Sequence, residues 1–152
     1  MRTAARAIAI TGLVVGAMDI TSAFILAIAR GSSATRLLQF VASGLLGPSA
    51  FEGGAATAAV GLAVHFAIAF AVVISFYVLS QRIAAVRRHP VVAGVVYGLV
   101  VFGVMNLIVL PLSAARPRHT MTGDLIQIGI HMFVIGLPTS LLIRRLSGAT
   151  GS

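Results

Sequence analysis

Apolar residues fall into four long runs along the chain, separated by short segments that carry most of the charge. The runs cover residues 7–29, 55–80, 91–114 and 125–143. Each run is close to or above the roughly 20 residues that an α-helix needs to cross a bilayer core. None has the period-two alternation typical of a transmembrane β-barrel strand. The pattern therefore predicts an all-α membrane protein, built as a four-helix transmembrane bundle in one domain over residues 1–152.

A shorter segment, residues 35–46, lies between the first and second runs and has a different pattern. In a helix, Arg36, Gln39 and Ser43 would share one face, and apolar side chains another. The segment is too short to span a bilayer, and Gly47-Pro48 ends it because proline cannot continue the hydrogen-bond ladder. We therefore expect a short outer amphipathic helix between helices 1 and 2, lying on the membrane interface or re-entering it.

Composition supports the membrane assignment and excludes several kinds of functional site. Hydrophobic residues make up 59% of the chain and charged residues 9%, against roughly 25% charged in an average soluble domain. Cysteine is absent from the sequence, which excludes disulfides, zinc–thiolate sites and thiol nucleophiles. The sequence has no phosphate-binding loop, HExxH or dinucleotide fingerprint, so an enzyme is not favoured.

The net charge is +8, and all eleven basic residues are arginine. Arginine in the loops of a membrane protein sets topology and contacts anionic lipid headgroups, so we do not expect nucleic acid as a partner. Seven arginines fall on the side of the termini and four on the other side: Arg2, Arg6, Arg82, Arg87, Arg88, Arg144 and Arg145, against Arg30, Arg36, Arg116 and Arg118. This bias predicts that both termini are cytoplasmic.

Glycines recur at helical spacing within the runs. Small residues allow close helix approach in lipid, so we expect helix packing at these positions: Gly12, Gly16, Gly61, Gly94, Gly98, Gly129 and Gly136. Packing within one tight bundle is the simpler interpretation, and a GxxxG motif that serves a homo-oligomer is the alternative. Pro111 and Pro138 are expected to kink the third and fourth helices.

Each apolar run carries one strongly polar residue: Asp19, His65, Asn106 and His131 in chain order. Gln127 lies one helical turn before the last of these. Counted from the helix ends, His65, Asn106 and His131 fall within about 6 Å of one another in depth, and Asp19 slightly deeper. Since such groups facing lipid would cost several kcal/mol, we expect the four to converge inside the outer half of the bundle.

Several functions are compatible with this candidate polar cluster. It can fix helix register by hydrogen bonding, or it can bind or pass a proton, a small solute or a lipid, because histidine exchanges protons near neutral pH. His65 and His131 could instead be the axial ligands of a b-type haem, or together with Asp19 the ligands of a metal ion. A membrane assembly or scaffold protein is a further alternative. We favour a non-catalytic binding protein that uses no cofactor.

Three stretches also resemble a family of small uncharacterised bacterial membrane proteins with four predicted helices. They are QFVASGLLGPSAFEGGAATAA with the following His65, HPVVAGVVYGLVVFGVMNLIVLPLSA, and IGIHMFVIGLP. The resemblance covers most of the chain. It implies a location in the bacterial inner membrane and supplies neither a substrate nor any functional residue.

Overall fold

The structure, a computed structural model, describes residues 2–117 and 119–148. Six helices account for most of the chain: α1 (Arg2–Ala29), α2 (Ala34–Leu46), α3 (Gly54–Arg82), α4 (Ala84–Arg88), α5 (Pro90–Leu112) and α6 (Met121–Leu146). These described residues contain no strand, so the predicted all-α four-helix bundle is confirmed. Arg118, part of the predicted loop charge, lies outside the described residues, as does the side chain of Arg2.

The four long helices, α1, α3, α5 and α6, are long and apolar enough to cross a membrane. Large apolar side chains cover their outer surfaces, as at Val92 and Leu107, whose side chains are 64% and 78% exposed. A soluble monomer rarely exposes so much contiguous apolar surface, whereas lipid is its natural surrounding. The chain is therefore a multi-pass membrane protein by the length and composition of its helices.

Successive spans are antiparallel, which gives the bundle two different ends. We call the end that holds Arg2, Arg82 and Leu146 the termini end. The opposite end, where α2 lies between the first two spans, is the α2 end. It also contains the connection from α5 to α6.

Helix α2 forms part of the bundle wall at the α2 end. Ser33 caps its N-terminus, and the Leu38 carbonyl lies directly against Gly61 of α3. The buried Gln39 side chain donates a hydrogen bond to the Gly54 carbonyl over 3.2 Å. At the other end of α2, the Gly44 carbonyl accepts a 3.0 Å hydrogen bond from the amide that follows α5. The amphipathic segment is thus held by two spans, with its polar face turned partly into the protein.

Most of the glycines predicted to pack do so within the chain. A Cβ atom at Gly12 or Gly16 would overlap phenylalanine rings of α3, and one at Gly98 would overlap the backbone of α6. Gly94, Gly61 and Gly136 make similarly close approaches. Both GxxxG motifs are therefore occupied by contacts between neighbouring spans.

Gly129 is different from the other six glycines. No described atom of a neighbouring helix lies within 4 Å of the position that its Cβ would take, so the packing role predicted for it is not seen in the single chain.

A π-helical turn precedes each proline that was expected to kink a span. The turns are Met105–Val109 in α5 and His131–Gly136 in α6, before Pro111 and Pro138. Proline lacks the amide hydrogen and clashes with the carbonyl four residues earlier, which a wider turn relieves. Both turns carry a predicted site residue, Asn106 in α5 and His131 in α6. A π-turn rotates the following residues relative to a regular helix, which changes the face they occupy.

The dense core lies at the termini end. It consists of Ala7, Val73, Phe76 and Ile143, none more than 2% exposed. The buried Ser140 hydroxyl donates a 2.7 Å hydrogen bond to the Pro90 carbonyl and so joins α6 to α5. These contacts close the bundle at this end and leave its open volume at the other.

Candidate functional site

An inner cavity of about 270 Å³ lies between the dense core and α2. All four spans and α2 contribute to its wall, which is mostly aliphatic. Three ionisable side chains also line it, each from a different span: Asp19 of α1, His65 of α3 and His131 of α6. Apolar pockets with a few convergent polar groups are the usual form of a small-molecule site.

Asp19 and His65 form the inner polar pair. His65 Nε2 lies 2.9 Å from the carbonyl oxygen of Gly16. Because a carbonyl only accepts, Nε2 carries a hydrogen and donates it. The other ring nitrogen, Nδ1, lies 3.9 Å from Oδ2 of Asp19, an ion-pair distance rather than a hydrogen bond. The His65 side chain is 11% exposed and the Asp19 side chain 29%.

The Gly16 contact fixes which ring nitrogen of His65 faces Asp19. With Nε2 donating to the carbonyl, Nδ1 is the nitrogen directed toward the carboxyl group of Asp19. The two side chains can therefore interact electrostatically across 3.9 Å inside the cavity.

His131 lines the same cavity from α6. Its Nδ1 lies 2.8 Å from the carbonyl oxygen of Gln127, one turn earlier, so Nδ1 donates. Its ring meets Phe102 of α5 edge-on, with centroids 5.5 Å apart. Nε2 of His131 has no hydrogen-bond partner among the described residues, so it is free to contact a ligand.

A second cavity of about 890 Å³ opens at the α2 end, and we call it the vestibule. Asn106 and Gln127 line the vestibule and are absent from the wall of the inner cavity. The Asn106 amide also donates to the Phe102 carbonyl over 2.9 Å. Four residues line both cavities, so the two adjoin: Phe40, Met105, Leu110 and His131.

The five sequence-predicted residues are thus divided between two adjoining cavities. Asp19 and His65 belong to the inner one, Asn106 and Gln127 to the vestibule, and His131 to both. A single hydrogen-bonded network of four side chains does not form. The hydrogen bonds of the two histidines and Asn106 go to backbone carbonyls.

The haem and metal alternatives are not favoured by this geometry. His65 uses its Nε2 on the Gly16 carbonyl and turns Nδ1 toward Asp19, so neither nitrogen is presented as an axial ligand. Within residues 2–117 and 119–148, no three His, Cys, Asp or Glu side chains are grouped as a metal site requires. The described residues therefore do not bring Asp19, His65 and His131 together as a metal site.

Sequence reasoning missed the arginines of the vestibule. Arg30, Arg36 and Arg116 all line it, from three separate parts of the chain. As isolated loop arginines they indicated only topology, because positions 30, 36 and 116 have no helical spacing in common. Only the bent connections at the α2 end bring them around one cavity.

Comparison with known proteins adds no relative. No protein-family description, curated protein or solved structure matches this chain.

Proposed function

We propose that the protein is a small, non-catalytic binding protein of the membrane that holds an amphiphilic solute in the inner cavity. The observation that carries this proposal is the grouping of Asp19, His65 and His131, from three spans, around one otherwise apolar cavity. Ionisable side chains inside a membrane bundle are costly and mark functional sites more often than structural ones. An apolar wall that carries a few polar groups suits a molecule that is mostly apolar and has a polar group.

The polar groups offer a ligand both donors and acceptors. Asp19 and His65 can each donate or accept a proton, and Nε2 of His131 is free. A hydroxyl, carbonyl or acid group of a ligand would find a partner in either protonation state. The aliphatic wall would contact the remainder of the molecule.

Binding is favoured over free passage of the solute across the membrane. The dense core of Val73, Phe76 and Ile143 lies between the inner cavity and the termini end. Close-packed interiors leave few voids larger than a water molecule. A solute that reaches the cavity from the α2 end is therefore retained there.

We further propose that the protein lies in a bacterial inner membrane with both termini in the cytoplasm. The arginine bias supports this orientation, with seven residues toward the termini end and four toward the α2 end. The vestibule would then open to the outer face.

Photolabelling tests the binding proposal. The purified protein, in nanodiscs of zwitterionic lipid, is labelled with a decanol analogue that carries a diazirine, and the labelled positions are mapped by mass spectrometry. We expect labelling at cavity positions that excess decanol suppresses. Val41→Trp places a large ring in the cavity wall and should reduce this labelling at least fivefold, the equivalent of about 1 kcal/mol.

The matched control is Val96→Trp, the same change on the outer surface of α5, where the side chain is 53% exposed. It should leave cavity labelling unchanged. Labelling spread evenly over the lipid-facing helices, with no competition by decanol, would contradict the proposal and leave the assembly or scaffold function as the better account. Equal thermal stability of the two tryptophan variants checks that the fold is retained.

A further inference from the structure

The vestibule brings three positive charges to one cavity. Arg30 follows α1, Arg36 lies in the first turn of α2 and Arg116 lies in the connection between α5 and α6. All three side chains are exposed into a space of about 890 Å³. Like charges gathered from three segments repel one another, so the arrangement is stabilised when an anion occupies the space between them.

No carboxylate among the described residues lies within ion-pair distance of these arginines. Asp124 is the only described carboxylate that lines the vestibule, and its Oδ1 lies 3.1 Å from Nδ1 of His119. The ion pairs in the described part of the chain are this one and Asp19–His65, and neither includes an arginine. The vestibule is therefore a positively charged cavity whose single acidic group already has a partner.

Contacts within the protein hold the guanidinium groups in place. The Arg36 guanidinium stacks over the Phe51 ring, 4.2 Å from its centroid. Arg116 donates through one nitrogen to the carbonyls of Ser113 and Ala115, each over 3.0 Å. A guanidinium has five N–H donors in a fixed plane, so both groups keep donors for a ligand. Their fixed positions reduce the entropy lost when an anion binds.

The vestibule and the inner cavity together fit a molecule with two different parts. Phe40, Met105, Leu110 and His131 line both spaces, so a ligand can extend from one to the other. The outer space is basic and the inner one is mainly aliphatic. We propose that the ligand of this protein is an anionic amphiphile, with a phosphate head held by Arg30, Arg36 and Arg116 and an aliphatic chain in the inner cavity.

This inference rests on the proposed function, because it assigns the charge of the solute that the inner cavity holds. The recognised chemistry is a phosphate group surrounded by guanidinium donors, a preferred bidentate pairing of arginine. That group can belong to a lipid-like molecule or to free phosphate in solution. The aliphatic inner cavity favours the first source, and the experiment separates the two.

The test measures displacement of the photoreactive decanol from wild-type protein in nanodiscs of zwitterionic lipid. The competitors are decanol, decyl phosphate and inorganic phosphate. Decyl phosphate should compete at least tenfold more strongly than decanol, and inorganic phosphate should compete weakly. Competition by decyl phosphate should become about tenfold weaker in each of three variants, Arg30→Gln, Arg36→Gln and Arg116→Gln. This is the effect expected for a lost hydrogen bond between charged groups. None should change competition by decanol.

Arg144→Gln is the matched control, because it removes the same charge at the termini end. This variant should leave competition by decanol and by decyl phosphate unchanged. Equal competition by decanol and decyl phosphate, or an equal effect of Arg144→Gln and the vestibule variants, would overturn the inference while the binding proposal stands. If inorganic phosphate competed as strongly as decyl phosphate, the ligand would be free phosphate and the assignment of an amphiphilic ligand would be overturned. Absence of any cavity labelling would instead reject the proposed function itself.

Discussion

The two halves of the bundle are built from the same four spans but differ in how they fill space. At the termini end, aromatic and aliphatic side chains meet around Phe76 and Ile143, and close backbone approach at Gly94 and Gly136 removes the gaps. At the α2 end the same helices enclose two cavities lined by ionisable and basic side chains. In lipid, helices associate by packing and hydrogen bonding rather than by the hydrophobic effect. The dense half can therefore supply stability, while the open half contains the two cavities.

The π-helical turns contribute to this difference. Both lie where the spans enter the α2 half, and each contains a polar site residue, Asn106 or His131. A π-turn adds a residue to the helical turn and is common at functional sites. We infer that the stability of the dense half offsets the less regular backbone of the other half.

The largest expected change in the free energy of unfolding comes from a cavity created in the dense half. Phe76→Ala removes a ring that is 2% exposed and that packs edge-on against Tyr97, with centroids 4.9 Å apart. Loss of these contacts should lower the free energy of unfolding by about 3 kcal/mol, measured by SDS titration in mixed micelles. Phe133→Ala is the control, since that ring is 58% exposed to lipid and should cost under about 1 kcal/mol. Equal losses would mean that the halves do not differ in packing.

Replacing a glycine by alanine should change the free energy of unfolding in opposite directions in the two halves. Gly136→Ala places a Cβ against the backbone of α5 at Gly94 and Gly98, and should lower the free energy of unfolding by about 2 kcal/mol. Gly44→Ala lines the inner cavity, where the nearest atom would be 3.7 Å away on Ser113. Since alanine favours helix, this variant should gain about 0.5 kcal/mol. The same SDS titration measures both, and a loss at position 44 similar to that at 136 would contradict the contrast.

A further pair of effects, of about 1 kcal/mol each, concerns hydroxyl groups buried in the bundle. Thr11 is fully buried, and its hydroxyl has no hydrogen-bond partner among the described residues. Thr11→Val keeps the shape and removes the unpaired group, so it should raise the free energy of unfolding by about 1 kcal/mol. Ser140→Ala breaks the hydrogen bond to the Pro90 carbonyl and should lower it by about 1 kcal/mol. Changes of the same sign in both variants would show that hydrogen bonding does not distinguish these two sites.

The positions of the spans followed from the sequence because length and hydropathy are local properties. The predicted runs 7–29 and 55–80 lie within α1 and α3, and the amphipathic segment 35–46 matches α2 within one residue. Residues 113 and 114 fall outside α5, which ends at Leu112 because the backbone of Ser113 is extended. Three of the four residues expected to converge, Asp19, His65 and His131, line one cavity.

The grouping of these side chains around cavities was not determined locally. Helical spacing places Asn106 at the depth of His65, but Asn106 lies in the π-turn of α5 and lines the vestibule. Gly129 has the same residue type and spacing as Gly136, yet only the latter meets a neighbouring helix. The face of a helix that packs against another helix depends on segments distant in the chain. The spacing of residues within one helix therefore cannot predict it.

The sequence by itself thus determined a four-span helical membrane protein and the polar residues that each span carries, because burial in lipid selects residue types one helix at a time. The tertiary structure decided that Asp19 and His65 pair beside the Gly16 carbonyl, and that three arginines from separate segments surround one vestibule. These contacts join residues far apart in the chain. Their geometry arises only when the helices pack against one another and α2 folds into the wall of the bundle.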